Sequence, residues 1–212
     1  MKIFLRYISI VCFCFSNVNA QQRVVAECTI TFKISMDDIS VDKEVLNTLK
    51  QSTKTIYIKG NDSRVDLNSP AIKQSVIYDK TQNTAVVLRE FGNNKFMHRL
   101  NKIKWLEANI QYNGSTVILS NETKKILGYE CKKATLRLKD GTSFVLYFAV
   151  AIVPSVREFE YQFKDIPGFV LEYQIKEKGS EMMVNYQAEK ISLSPVLASR
   201  FDIPLSGYRL LN

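Results

Sequence analysis

Apolar residues recur at every second position in short runs along most of this chain, and clusters of Gly, Asn, Asp or Pro separate the runs. A period of two puts alternate side chains on opposite faces of a pleated strand, so the pattern demands a sheet with one covered face. Residues 24–34 show it first, with Cys28, Ile30, Phe32 and Ile34 on one face and Glu27, Thr29, Thr31 and Lys33 on the other. Residues 55–59 and 63–67 flank Gly60-Asn61-Asp62, a hairpin signal. Residues 75–78, 84–91 and 95–100 continue as an antiparallel meander. Residues 115–119 and 125–138 follow, and Lys139-Asp140-Gly141 turns into 142–153. That last run is apolar on both faces and reads as a central strand covered on both sides, ended by Pro154. Residues 169–176 and 181–193 supply two more strands, joined through Lys178-Gly179-Ser180.

Helical spacing is scarcer. Ser40 precedes Val41, Val45, Leu46 and Leu49, with Asp42 and Glu44 early and Lys50 late, which predicts an amphipathic helix capped by Ser40. In 101–110, Ile103, Leu106 and Ile110 form a helical stripe from which Trp105 falls off. Val156, Phe159 and Phe163 fit a helical turn, whereas Phe159, Tyr161 and Phe163 fit a strand; periodicity leaves both open. The tail 201–208, with Pro204 and Gly207, is expected to lie over a sheet edge. The fold class is therefore α+β and mostly β: a single curved antiparallel sheet with one to three helices covering its concave face.

The first twenty residues read as an export signal. Lys2 and Arg6 precede the nine-residue apolar run 7–15, and Val18-Asn19-Ala20 predicts cleavage before Gln21, leaving 21–212 as a single domain. The apolar run is too short to span a bilayer, so no membrane span is expected, and the residues before Cys12 lack the small residue of a lipoprotein signal. Removing Lys2 and Arg6 lowers the formal charge from +8 to +6. Basic residues such as Lys132, Lys133, Arg137 and Lys139 alternate with apolar ones along strands, so no nucleic-acid partner is expected.

Processing leaves Cys28 and Cys131 as the only cysteines in an oxidising compartment. One reading is a disulfide closing a loop of about 100 residues, which the chain-entropy model values at about 4.7 kcal/mol. The other is two separately buried thiols.

Catalytic patterns are sparse. The chain has no phosphate-cradling glycine loop and no Gly-x-Ser-x-Gly. Any Ser/His/Asp or Cys131/His98 arrangement would depend on the lone His98, which reads as a surface residue. Asp37-Asp38 and Glu158/Glu160 are formal acid–base or calcium candidates and read more simply as solvated acids. Three sequons, at Asn61, Asn113 and Asn121, report surface loops. The chain is read as non-enzymatic, without a cofactor or metal.

Residues 122–134 run Glu122-Thr123-Lys124-Lys125-Ile126-Leu127-Gly128-Tyr129-Glu130-Cys131-Lys132-Lys133-Ala134. This resembles a recurrent signature of exported bacterial proteins. Ile166-Pro167-Gly168-Phe169-Val170-Leu171-Glu172 resembles the Leu-Pro-Gly-Leu-Ile element of the GLPGLI family, with Ile166 and Phe169 in place of leucines. Phe201-Asp202-Ile203-Pro204 with Gly207-Tyr208 resembles the closing segment of a related domain family of unknown function. Both are similar to the LolA/LolB group of lipoprotein carriers, and the resemblance covers roughly 50–210. It implies a half-open β-barrel with helices over a lipophilic cavity, in the periplasm or at the cell surface of a Gram-negative bacterium, and it carries over no catalytic residue.

Two functions follow as expectations. One is a binding module for a lipid, acyl chain or lipoprotein, its cavity lined by Phe144, Leu146, Phe148, Phe169, Leu171 and Tyr173. The other is a structural or interaction protein of the cell envelope, with a protein partner and a fully packed core. A cavity of roughly 300 Å³ or more under the sheet separates them.

Overall fold

Alternation of apolar and polar residues produces the expected strands along nearly the whole described chain. In this computed structural model the described residues are 21–36, 42–176 and 183–211. The expected export signal, Asp37-Asp38, Ser40 and the expected Lys178-Gly179-Ser180 turn lie outside them. The strands are β1 (Arg23–Val25), β2 (Glu27–Met36), β3 (Thr53–Lys59), β4 (Asp62–Asn68), β5 (Ile72–Asp79), β6 (Thr84–Phe91) and β7 (Asn94–Leu100). After them come β8 (Thr116–Ile126), β9 (Tyr129–Arg137), β10 (Ser143–Ala149), β11 (Ile152–Pro154), β12 (Phe169–Lys176), β13 (Met183–Ser192) and β14 (Arg209–Leu211).

Twelve of them form one open sheet in the order β14-β7-β6-β5-β4-β3-β2-β13-β12-β10-β9-β8. Every pairing in it is antiparallel except β14 with β7. Residues 142–153 do not form the single two-sided strand expected. A turn at Val150-Ala151 breaks them, and β11 leaves the sheet to pair in parallel with β1. The outer face of β10 is only half covered: Val145 and Tyr147 are half-buried, and Lys124 lies 3.8 Å from the Tyr147 ring.

The two faces of the sheet are covered by different means. On the convex side the tail crosses β5–β7, where Phe201, Ile203 and Tyr208 pack over Ile77, Val86, Leu88 and Met97. The Tyr208 hydroxyl donates to Glu90 at 2.5 Å. The tail thus covers a face and reaches an edge only at β14. On the concave side lies the main core, from Cys28, Ile30 and Phe32 through Leu146, Phe148 and Leu171.

Helix α1 (Lys43–Lys50) begins at Asp42, whose side chain accepts from the Glu44 amide at 2.8 Å. It rests against β2 without burying a residue. Helix α2 (Lys102–Ala108) is capped by Asn101, which accepts from the Lys104 amide at 3.0 Å. Its buried residue is Trp105, the one that falls off the stripe, while Ile103 and Ile110 are 66% and 64% exposed. A 3₁₀ turn (Ile110–Tyr112) follows α2, and a second 3₁₀ segment (Glu158–Phe163) lies in the concavity. No helix among the described residues is long and apolar enough to cross a membrane.

Candidate functional site

Strand register sorts the concave face of β4–β7 into three rows. Ser63, Tyr78, Ala85 and Leu100 are consecutive register partners and are all buried. Val65, Val76, Val87 and His98 form the next row and are half-buried. Leu67, Gln74, Arg89 and Phe96 form the third, in which Arg89 is exposed. Leu211 stands opposite His98 and Arg209 opposite Phe96.

Above the second and third rows is a cavity of about 460 Å³. Its roof is Trp105, Ala108, Asn109, Gln111 and Tyr112 from α2 and the turn after it, and Phe159, Glu160, Tyr161 and Gln162 from the second 3₁₀ segment. The volume lies within the range of small-molecule pockets.

Trp105 closes the inner end, with ring centroids 5.2 Å from Tyr78 and 6.4 Å from Tyr161. Asn109 holds that helix end by donating from Nδ2 to the Trp105 carbonyl at 2.9 Å. Two buried polar atoms of lining residues, His98 Nε2 and Trp105 Nε1, lack hydrogen-bond partners among the described residues.

The second 3₁₀ segment owes its place to a kink. Glu160 has φ −123° and ψ 87°, which breaks the helical turn and lets Phe159, Glu160, Tyr161 and Phe163 all be buried. Neither a period of two nor one of 3.6 describes that set, which is why the sequence leaves the segment open. Glu160 is not solvated: its carboxylate accepts from the buried Lys54 ammonium, which also donates to the Tyr173 hydroxyl at 2.7 Å. Lys54 further lies 4.8 Å from the Tyr173 ring and 5.2 Å from that of Phe32. Burial pulls the Lys54 ammonium below its ordinary range, and the Glu160 charge opposes that pull. Burial pushes the Tyr173 phenol well up.

The six lining residues expected from the sequence do face the concave side, but they do not line the cavity. Phe144, Leu146, Phe148, Phe169, Leu171 and Tyr173 belong to β10 and β12 and are buried in the packed half of the core. Phe163 stands edge-on to Phe144 and Tyr173 at 5.8 and 4.9 Å, and Phe159 packs on Phe169 at 5.9 Å. The gap left there is about 10 Å³, no more than one water needs. The chain's own aromatic segment fills the half where the strands are most apolar, and space remains over the valines.

Cys28 and Cys131 are both free and buried. The disulfide expectation fails because β13, β12 and β10 lie between β2 and β9 in the sheet. Burial pushes the thiols up to about 12 and about 11, which disfavours the nucleophilic thiolate. His98, on β7, is likewise remote from Cys131 in the sheet order.

No family model and no curated protein matches the chain. Among solved structures, PNGF-II superposes with a TM-score of 0.51 at 13% identity, covering 88% of this chain. This chain spans 31% of the PNGF-II chain. MucB has a TM-score of 0.44 at 10% identity, covering 85% of this chain and 58% of its own. A DUF1329 family protein from Desulfovibrio piger has a TM-score of 0.41 at 8% identity, covering 84% and 90%. At 13% identity, PNGF-II shares the fold and nothing finer is read from it.

Proposed function

We propose that this chain is an exported, non-catalytic binding module of the cell envelope that shelters an apolar chain, free or lipoprotein-borne, in the cavity over β4–β7. The observation that carries the reading is the space itself, about 460 Å³ above Val65, Val76 and Val87. A wholly packed interaction protein would fill it, as the β10–β12 half is filled. The export signal, the Gly-Tyr-Glu-Cys and Ile-Pro-Gly landmarks and their likeness to the GLPGLI and LolA/LolB groups support the same reading. The raised thiols of Cys28 and Cys131 and the pairing of Glu160 with Lys54 support the non-catalytic part of this reading for those three residues.

Protein purified without detergent should carry lipid in native mass spectra or take up a fluorescent fatty acid at micromolar concentration. Val76→Trp, which fills the floor of the cavity, should abolish uptake while circular dichroism shows an unchanged fold. Wild-type protein that neither carries lipid nor takes up the probe overturns the reading.

A further inference from the structure

We propose that the chain held in this cavity ends in an anionic headgroup, a carboxylate or phosphate seated at Arg89, with Arg209 beyond Phe96 in the same row. This rests on the binding reading above and concerns the charge of its ligand. The floor is graded along the strands. Tyr78, Ala85 and Leu100 are buried at the inner end, the valine row is half-buried, and Arg89 is exposed in the row beyond. An amphiphile that follows the gradient lays its tail over the valines and brings its head to the Arg89 row.

The sign of the charge at that row follows from its register partners. Gln74, Arg89, Phe96 and Arg209 occupy consecutive positions, and no acid stands among them. Glu160 is the only acid lining the cavity among the described residues, and its charge is matched by Lys54. The acids on the neighbouring strands, Asp66 and Glu90, sit at positions of the opposite face. Asp66 accepts from Arg64 at 2.7 Å, and Glu90 is held by Tyr208 and Lys95. The Arg89 guanidinium therefore lines the cavity without a compensating acid among the described residues, and Arg209, in register with Phe96, adds a second positive charge to the same row.

Arg89 is also pre-oriented. Its Nε donates to Gln74 Oε1 at 2.9 Å, and its terminal nitrogens have no partner among the described residues, leaving the fork that suits carboxylate and phosphate oxygens. A cationic head would meet repulsion there, and a neutral one would leave the guanidinium contacts unused.

The test compares ligands with one tail and different heads: laurate, lauryl phosphate, lauryl alcohol and dodecyltrimethylammonium, titrated below their micelle concentrations. Laurate or lauryl phosphate should bind tighter than lauryl alcohol by roughly tenfold, the factor one charge-assisted contact supplies, and the cationic amphiphile should bind most weakly. The Arg89→Gln/Arg209→Gln variant should bind both anions no better than the alcohol, with alcohol affinity unchanged as the sign of an intact cavity. Equal wild-type affinity for alcohol and anions, or a double variant that keeps the full anion preference, overturns the headgroup assignment and leaves the binding reading standing. If none of the four binds, both fall.

Discussion

Lys54 and Glu160, 106 residues apart in the chain, meet as a buried ion pair whose side chains are 6% and 7% exposed. The pair ties the kinked segment that roofs the cavity to β3, on the floor of the same concavity. Removing one partner strands the other charge in the core, which typically costs about 3–5 kcal/mol, whereas replacing both with apolar residues is often neutral. Lys54→Met should therefore lower the urea midpoint sharply, and Lys54→Met/Glu160→Leu should recover most of the loss. A single variant as stable as the parent would show that the pair does not hold the roof.

Gly168, in the Ile-Pro-Gly landmark, is required by close packing and not by an unusual backbone angle. A Cβ there would lie 2.3 Å from the Ala149 carbonyl oxygen and 2.5 Å from Phe148 Cδ2. The first of these is backbone of the adjacent strand and has little freedom to yield. Gly168→Ala should cost about 1–3 kcal/mol by overpacking, measured as a fall in thermal or urea midpoint with the denaturant slope unchanged.

The thiols set an alkaline limit to stability. In the folded chain Cys28 and Cys131 titrate near 12 and near 11, against about 8.5 for an unfolded cysteine. As pH rises past about 9 the unfolded chain releases protons that the folded chain retains, so unfolding becomes easier with increasing pH. Urea midpoints should fall from about pH 8.5 to about pH 11, and Cys28→Ala/Cys131→Ala should flatten that slope. In the same structural terms, unreduced protein should resist thiol labelling when folded and accept two labels once unfolded; no labelling after unfolding would restore the disulfide.

Most strands were legible because alternation is local: Cys28, Ile30 and Phe32 all face the core, as their spacing requires. The site was less legible because it depends on which part of a continuous apolar face is left uncovered. Phe144 and Tyr173 are as apolar as any cavity lining, yet Phe163 comes from another segment to cover them. The signal for that lay in the aromatic density of 159–163, where two periodicities competed and a kink at Glu160 satisfied neither. Lys54 shares the phase of Ile56 and Ile58 on β3, so alternation puts it on the buried face, but its distant acid Glu160 is not legible from spacing. Across 101–110 the exposed stripe Ile103, Leu106 and Ile110 outweighed the one residue of α2 that is buried, Trp105.

Trp105 is the only tryptophan in the chain and forms part of the wall of the cavity, so its emission reports directly on occupancy. Its ring also borders a second space of about 240 Å³, beside Tyr78, Asn83 and Lys102. Its Nε1 is buried with no hydrogen-bond partner among the described residues. An acyl chain entering over Val76 and Val87 would displace water from beside the indole, so emission should shift to the blue and saturate with the same midpoint as calorimetric binding of laurate. Val76→Trp would add a second emitter, so Val76→Phe is the matching control, with both the shift and the calorimetric heat reduced. Trp105→Ala should cost about 3–5 kcal/mol, as large-to-small changes at buried aromatics do, and should join the two spaces. If that variant still folds, it should accept a bulkier chain than the parent does. An unchanged wild-type spectrum at ligand saturation would place the bound chain away from this wall.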